Sequence, residues 1–321
     1  VLVFTVTRII MIPQGEFISF AALTLAQIQQ GQTPAIIGLL VGLGLLAGVM
    51  ETVAAVRARA WRRLPLIALW TVGVPVAISA GAAAVAPLGL GLGVDVLVTL
   101  LLVAPLGPYL YRVAFQPIAD ASVLVLLITA MAIHVALIGL GLVMFGAEGA
   151  RVAPFSDAMV EFGTLFVSGQ SIAVIGASIL FMAGFYLVFE RTMTGRALRA
   201  TAVNRLGARL VGISTVRSGQ IVFFAAAFVG ALSGILIAPL TTVYYDTGFL
   251  IGLKGFVAAI VGGLASYPLA AAAAIALGVI ESLTSFWASA FKEVIVFTVI
   301  IPVLVWRSLS HPHAAEDEHG G

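Results

Sequence analysis

Few residues of this 321-residue chain can do chemistry, and most of those sit inside apolar runs. Lys254 and Glu281 stand in neighbouring parts of one long apolar stretch. Glu16 follows Gln14 and Gly15 just after Pro13, and Glu51, Asp95 and His134 lie singly in other runs. General acid–base catalysis needs titratable groups converging on one locus, whereas these are scattered. No GxxxxGK[ST] phosphate loop and no HExxH motif occurs, and there is no cysteine. Nucleotide binding by that loop, zinc hydrolysis by that motif and thiolate metal sites are therefore excluded. Catalytic residues, cofactors and metal sites are all expected to be none. The terminal His311, His313, Glu316, Asp317, Glu318 and His319 read as a solvated end rather than a metal cage. What the buried groups can do is carry or balance charge in lipid. A lone charge at the bilayer centre costs about 2.5–3.5 kcal/mol, so Lys254 and Glu281 each need a partner or an aqueous face. Two readings stand side by side, a structural pair and the lining of a translocation path. Gln14, Gly15 and Glu16 carry the same choice, because a broken helix at membrane depth either lines a cavity or is buried in protein. His134 reads as a hydrogen-bonded packing residue rather than a proton-relay member.

A second set of residues acts through charge alone. Arg191, Arg196, Arg199, Arg205, Arg209 and Arg217 fall in one stretch, RTMTGRALRATAVNRLGARLVGISTVR. Lys and Arg concentrate on the cytoplasmic side of membrane proteins, which puts this loop in the cytosol. Within it Leu198, Ala202, Val203, Leu206 and Leu210 recur at helical spacing. The spacing predicts a short amphipathic helix at the cytosolic mouth, a shape a partner protein could grip. Arg57, Arg59, Arg62 and Arg63 form a second basic cluster and predict a second cytosolic loop.

The elements that hold these residues can be read from composition. The chain is 61% hydrophobic and 9% charged, with a mean hydropathy of +1.16. A soluble domain averages roughly 25% charged residues, so the expected partner is the lipid bilayer. A net charge of +2 confined to loops gives no footing for nucleic acid. The expected fold is an all-α polytopic transmembrane helical bundle with interrupted helices. Residues 1–308 would form one transmembrane domain and 309–321 a cytoplasmic tail. Apolar segments run at about 1–12, 17–30, 34–56, 64–86, 93–111, 122–147, 168–190, 219–240, 251–284 and 293–307, the first two short. The ninth is interrupted at Gly262-Gly263 and Pro268. Parity from the basic clusters puts 112–121, 191–218 and the tail in the cytosol. It puts 148–167 (Glu148, Asp157, Glu161) and Tyr244-Tyr245-Asp246 outside. Gly38/Gly42, Gly44/Gly48, Gly230/Gly234 and Ala270–Ala274 read as places where helices touch.

The stretch GRALRATAVNRLGARLVGI resembles the cytoplasmic loop of Liv-type permeases, the membrane subunits of branched-chain amino-acid ABC importers. The pattern falls on Gly195, Arg196, Ala197, Arg199, Ala200, Ala202, Ala208, Leu210, Gly212 and Ile213, with Asn204 and Gly207 between them. The resemblance implies that this loop is the coupling helix seated in a cleft of the ATPase. Gly252–Ala259 with Gly262-Gly263-Leu264-Ala265-Ser266-Tyr267-Pro268 resembles the family's GxKAFxAAxxGGxGSxPGA, with Ala265 and Leu269 where the family has glycine. Gly278–Leu283 and Phe291-Lys292-Glu293 resemble GxxE-small-L and YKD, and Gln14-Gly15-Glu16 resembles the family's HGE with Gln14 for His. The segments 64–86 and 93–111 depart from the family as an insert at about 60–111. Two extra crossings preserve the sidedness of every later segment.

The resemblance implies a non-enzymatic permease subunit for branched-chain or other small neutral amino acids, in the bacterial plasma (inner) membrane. It also implies ABC ATPase subunits, a second related permease chain, and a periplasmic or extracellular solute-binding protein docking on outer loops that include Thr241 to Gly248. Against this stand a self-sufficient secondary transporter or channel, which needs an ion site, and an embedded membrane enzyme, which needs a polar catalytic cluster.

Overall fold

A long apolar run in lipid satisfies its backbone groups internally by coiling into an α-helix. The computed structural model describes residues 2–156, 158–162, 165–263 and 267–310. Asp157, Leu264–Ser266 and the terminal stretch 311–321 lie outside the described residues. The helices are α1 (Leu2–Thr7), α2 (Gln14–Gln29), α3 (Ile36–Arg57), α4 (Trp61–Leu88), α5 (Leu92–Ile118) and α6 (Val123–Phe145). A hairpin of β1 (Met159–Phe162) and β2 (Leu165–Ser168) comes next. Then come α7 (Gly169–Arg191), α8 (Met193–Val203), α9 (Arg205–Leu210), α10 (Thr215–Ile237), α11 (Thr247–Val261), α12 (Tyr267–Trp287), α13 (Lys292–Thr298) and α14 (Ile300–Ser310). Seven of these are long and apolar enough to cross a membrane.

Polar residues fix where the helices start. Ser122, Ser168, Thr192, Asn204 and Ser214 each accept, through the side chain, the backbone N–H three residues on, filling a donor that a helix start leaves open. Asn204 produces one departure from expectation. The single amphipathic helix over the arginine loop is two, because Asn204 is extended (φ −150°, ψ 104°) and caps a new helix, α9.

At the centre lies α2, mostly apolar and buried along most of its length, as befits a helix enclosed by others. Gly230 and Gly234 of α10 let it approach. A Cβ on Gly230 would lie 2.9 Å from Phe17 Cβ, and one on Gly234 would collide with the Ile18 carbonyl. The contacts run in order along α10, with Val6 beside Val222, Ile9 beside Phe223, Gln14 on Ala226, Phe17 on Gly230 and Ile18 on Gly234. Thus α1 and α2 run the same way along α10, as two parts of one interrupted helix. The joint falls at Arg8–Pro13, where Arg8 takes a positive φ of 59°.

The small pair Gly44/Gly48 packs on α4, where Leu69–Gly73 widens into a π-turn. Pro75 has no N–H to return to the Thr71 carbonyl, and Gly44 lies against that carbonyl with no Cβ to hold it off. The Trp70 carbonyl accepts a 2.5 Å hydrogen bond from Tyr109 of α5. Gly38 and Gly42, by contrast, meet nothing within 4 Å.

The two ends of the bundle separate by charge. At one end Arg112 pairs with Glu51 at 3.2 Å, Arg205 donates to the Ala119 carbonyl and Arg209 reaches Asp120. These contacts join the end parts of α3 and α5 to each other, and the Ala119–Asp120 loop to α9. At the other end Ala150 bridges Val243 and the Val152 N–H donates to the Ala238 carbonyl, beside the β-hairpin. The grouping matches the parity of the basic clusters.

Candidate translocation and coupling sites

Helix α11 carries polar groups on two faces. Lys254 Nζ lies 2.6 Å from Glu281 Oε1 on α12 and 3.1 Å from Glu293 Oε1 on α13. Antiparallel packing of α11 on α12 sets this up, with Gly262 against Ala270 and Val257 and Ala258 beside Ala273 and Leu277. The cation thus finds its expected partner, and a second one that the sequence does not single out as such. Glu293 begins the last apolar run, and that position was the available signal. The three charges sum to −1, and their side chains are 24%, 28% and 35% exposed. A pocket of about 150 Å³ opens beside Lys254, Gly255, Ala274, Gly278 and Glu281. An excess charge this open is costly against hydrocarbon, and the cost is relieved by water or a protein surface.

Two residues before Lys254, about 200° around the helix, Gly252 faces the other way. Gly248 and Gly252 meet Gly15 backbone to backbone. A Cβ on Gly15 would collide with the Gly248 carbonyl, and one on Gly248 with the Gly15 carbonyl. The Gly248 N–H donates to Ser19 Oγ at 2.7 Å, and Gln14 Nε2 donates to the Ala226 carbonyl at 2.7 Å. Glu16 is 1% exposed and lies 2.6 Å from Nδ1 of His134 on α6. The His134 ring packs on Phe249, centroids 4.3 Å apart. Gln14, Gly15 and Glu16 therefore come together at a joint of α2, α6, α10 and α11. They pack on α11, but not on the face that carries Lys254 to Glu281 of α12. His134 is thus hydrogen-bonded to Glu16 and packed on Phe249.

The arginine arm is stapled to the bundle. Arg199 Nη1 lies 2.5 Å from Glu190 Oε2, Arg205 donates to the Ala119 carbonyl at 3.3 Å, and Arg209 bonds both Asp120 and Thr215. Some of the small residues serve this packing: a Cβ on Gly195 would strike the carbonyls ending α7, and Ala208 is 3% exposed. A Cβ on Gly207 would make only ordinary contact with the Asn204 cap, 3.4 Å away, whereas Gly212 closes α9 at φ +85°, the left-handed position that favours glycine. Ala200 is half-buried and Arg196 exposed. Of the apolar positions, Leu198 is buried, whereas Val203, Leu206, Leu210 and Val211 are 88%, 68%, 81% and 75% exposed. They sit among arginines on a segment too basic to lie in hydrocarbon.

A family model described as branched-chain amino acid transport system / permease component matches residues 1–304. The chain is similar to the high-affinity branched-chain amino acid transport system permease protein LivH of Salmonella typhimurium, 29% identical over 64% of this chain and 69% of that protein. The corresponding BraD protein of Pseudomonas aeruginosa is 26% identical over 65% and 70%. The probable LivH of Methanocaldococcus jannaschii is 28% identical over 61% and 64%. No solved structure matches the chain. The family assignment disfavours both the self-sufficient transporter and the embedded enzyme and makes this a multi-pass membrane subunit of a transport system. With a broken helix at its core, a charged trio on a half-length helix and a basic arm at one end, the chain belongs to the permease-component family of branched-chain amino acid transport systems.

Proposed function

We propose that the chain forms part of the translocation path of an ABC importer for branched-chain or other small neutral amino acids in the bacterial plasma (inner) membrane. Residues 1–308 act as one permease domain, with the α4–α5 pair as its insert. ABC ATPase subunits grip the α8–α9 arm, a second related permease chain completes the path, and a periplasmic or extracellular solute-binding protein delivers ligand to the opposite end. The observation that carries this reading is the arm itself. Val203, Leu206, Leu210 and Val211 are exposed on a short basic double helix, and salt bridges and hydrogen bonds fix its orientation. Apolar side chains presented this way fit a protein groove. Lys254 and Glu281 face the path with Glu293 behind them, while Gln14, Gly15 and Glu16 hold the broken helix that shapes it. Closure of the ATPases on nucleotide pushes the arm and rocks the bundle between outward- and inward-facing states.

The test is a gentle detergent pull-down from native membranes, with partners identified by mass spectrometry. ATPase subunits should accompany the natural chain and be lost from a Val203→Asp, Leu210→Asp variant that stays monodisperse. ATPases retained by the variant, or never recovered even after crosslinking, would overturn the reading.

A further inference from the structure

At the end of the bundle away from the arginines, a cleft of about 500 Å³ opens between the end of α2 and the turn from α4 into α5. Gln29, Gln30 and Gly31 form one wall; Gly89, Gly91 and Asp95 form the other. The second wall belongs to the 60–111 stretch, where the chain departs from the family pattern. The position is set by the helices: α5 begins beside Asp95 and runs to Arg112, which pairs with Glu51 at the arginine-rich end. By the charge rule the cleft faces outside.

Asp95 is the unusual member. It is 9% exposed, yet its carboxylate has no hydrogen-bond or ion-pair partner among the described residues. It stands in the first turn of α5, at the edge of the open cleft. None of the described residues lining the cleft is basic. Gly31, Gly89 and Gly91 take positive φ values of 70°, 56° and 102°, and positions for their Cβ atoms are empty for 4 Å around, so no side chain narrows the mouth. The volume lies within the range of small-ligand sites.

We propose that this cleft binds a primary ammonium group, with Asp95 as its counter-charge. An ammonium presents three N–H donors and one positive charge. The cleft offers the Asp95 carboxylate as the one charged group among its described lining residues, with the exposed Gln29 and Gln30 in the opposite wall. A calcium ion takes six to eight oxygen ligands with more than one carboxylate, which this lining does not supply. The ammonium comes either from a free amine or amino acid or from a lysine of a protein docked on the outer face. The site is independent of the ATPase-coupling reading and stands or falls apart from it.

The chain contains no cysteine, so Gln29→Cys places a single thiol in this subunit, beside Asp95. In whole cells, with the subunit in its native assembly, the thiol is labelled from outside with 2-aminoethyl or 2-sulfonatoethyl methanethiosulfonate and read by gel shift. Relative to their rates on free cysteine, the cationic reagent should be favoured about ten-fold by a nearby unit charge. Asp95→Asn should collapse that ratio to near one, and Asp95→Glu should keep it. A ratio near one with Asp95 intact, or a preference that survives Asp95→Asn, would overturn the proposal. The Asp95→Glu chain guards against misreading a misfolded Asp95→Asn chain. Millimolar propylamine should slow labelling by the cationic reagent, with which it competes for the carboxylate, and absence of slowing would also overturn the site. If leucine slows it too, the source is an amino acid. If propylamine alone does, the source is a side-chain amine such as a lysine.

Discussion

Removing the Lys254 charge gives the sharpest test of the trio. Lys254→Met leaves Glu281 and Glu293, both within 3.1 Å of the lost nitrogen, facing each other at roughly 6 Å or less. Two unit charges that far apart repel by about 3 kcal/mol at an effective dielectric of 20, and by about half that at 40. Side chains 28% and 35% exposed put the penalty between those limits, at about 1.5–3 kcal/mol. Lys254→Met should therefore melt well below the natural chain in detergent, monitored by size-exclusion of heated samples. Adding Glu281→Gln and Glu293→Gln removes the repulsion and should restore most of the loss. Transport in vesicles reconstituted with all partner subunits then separates the two roles. If the trio only holds α11 to α12 and α13, the triple variant recovers transport with stability. If it lines the path, stability returns and transport does not. A Lys254→Met chain as heat-stable as the natural one would refute the electrostatic argument itself.

The joint and the arm carry their own expectations. Gly248→Val forces a side chain into the Gly15 backbone and should abolish monodisperse protein in fluorescence size-exclusion, while Gly38→Ala and Gly42→Ala should be neutral. Glu16→Gln keeps a hydrogen bond to His134 and should be tolerated, whereas Glu16→Leu strands the buried imidazole at a cost of about 1–3 kcal/mol, read as a lower melting temperature. Tyr109→Phe loses its bond to the Trp70 carbonyl and should cost about 1 kcal/mol, measured the same way. Asp120→Ala breaks an ion pair whose partners are 47% and 81% exposed and should change stability by less than about 1 kcal/mol.

The crossings were largely legible because each is a local matter. The runs that become α3, α6, α7 and α10 satisfy their own backbones, so hydropathy alone delimits them. The partner of Lys254 was half legible: an intramembrane cation demands an anion and Glu281 stood nearby, whereas Glu293 is brought in only by the return of the last segment. The continuity of α1 into α2 was not legible, since it rests on Ile9, Gln14 and Phe17 meeting α10 more than 200 residues on. The split of the arginine arm at Asn204 could have been read, since asparagine is a strong helix starter, but the apolar spacing runs across it unbroken. The β-hairpin at 159–168 carries too few residues to stand out from a polar loop.

The joint at the core also sets a clock on how this protein is made. Ser19 and Gly248, which hydrogen-bond across α2 and α11, are 229 residues apart. At about 5–20 residues per second of synthesis, α2 leaves the ribosome some ten to fifty seconds before its last partner. For most of that interval the most enclosed helix of the finished molecule, with Gln14 and Glu16 at its head, has neither α10 nor α11 to cover it. Biogenesis must shelter it, against α5 and α6 or within the insertion machinery, and chains truncated before Thr215 should become substrates for membrane proteases rather than stable fragments.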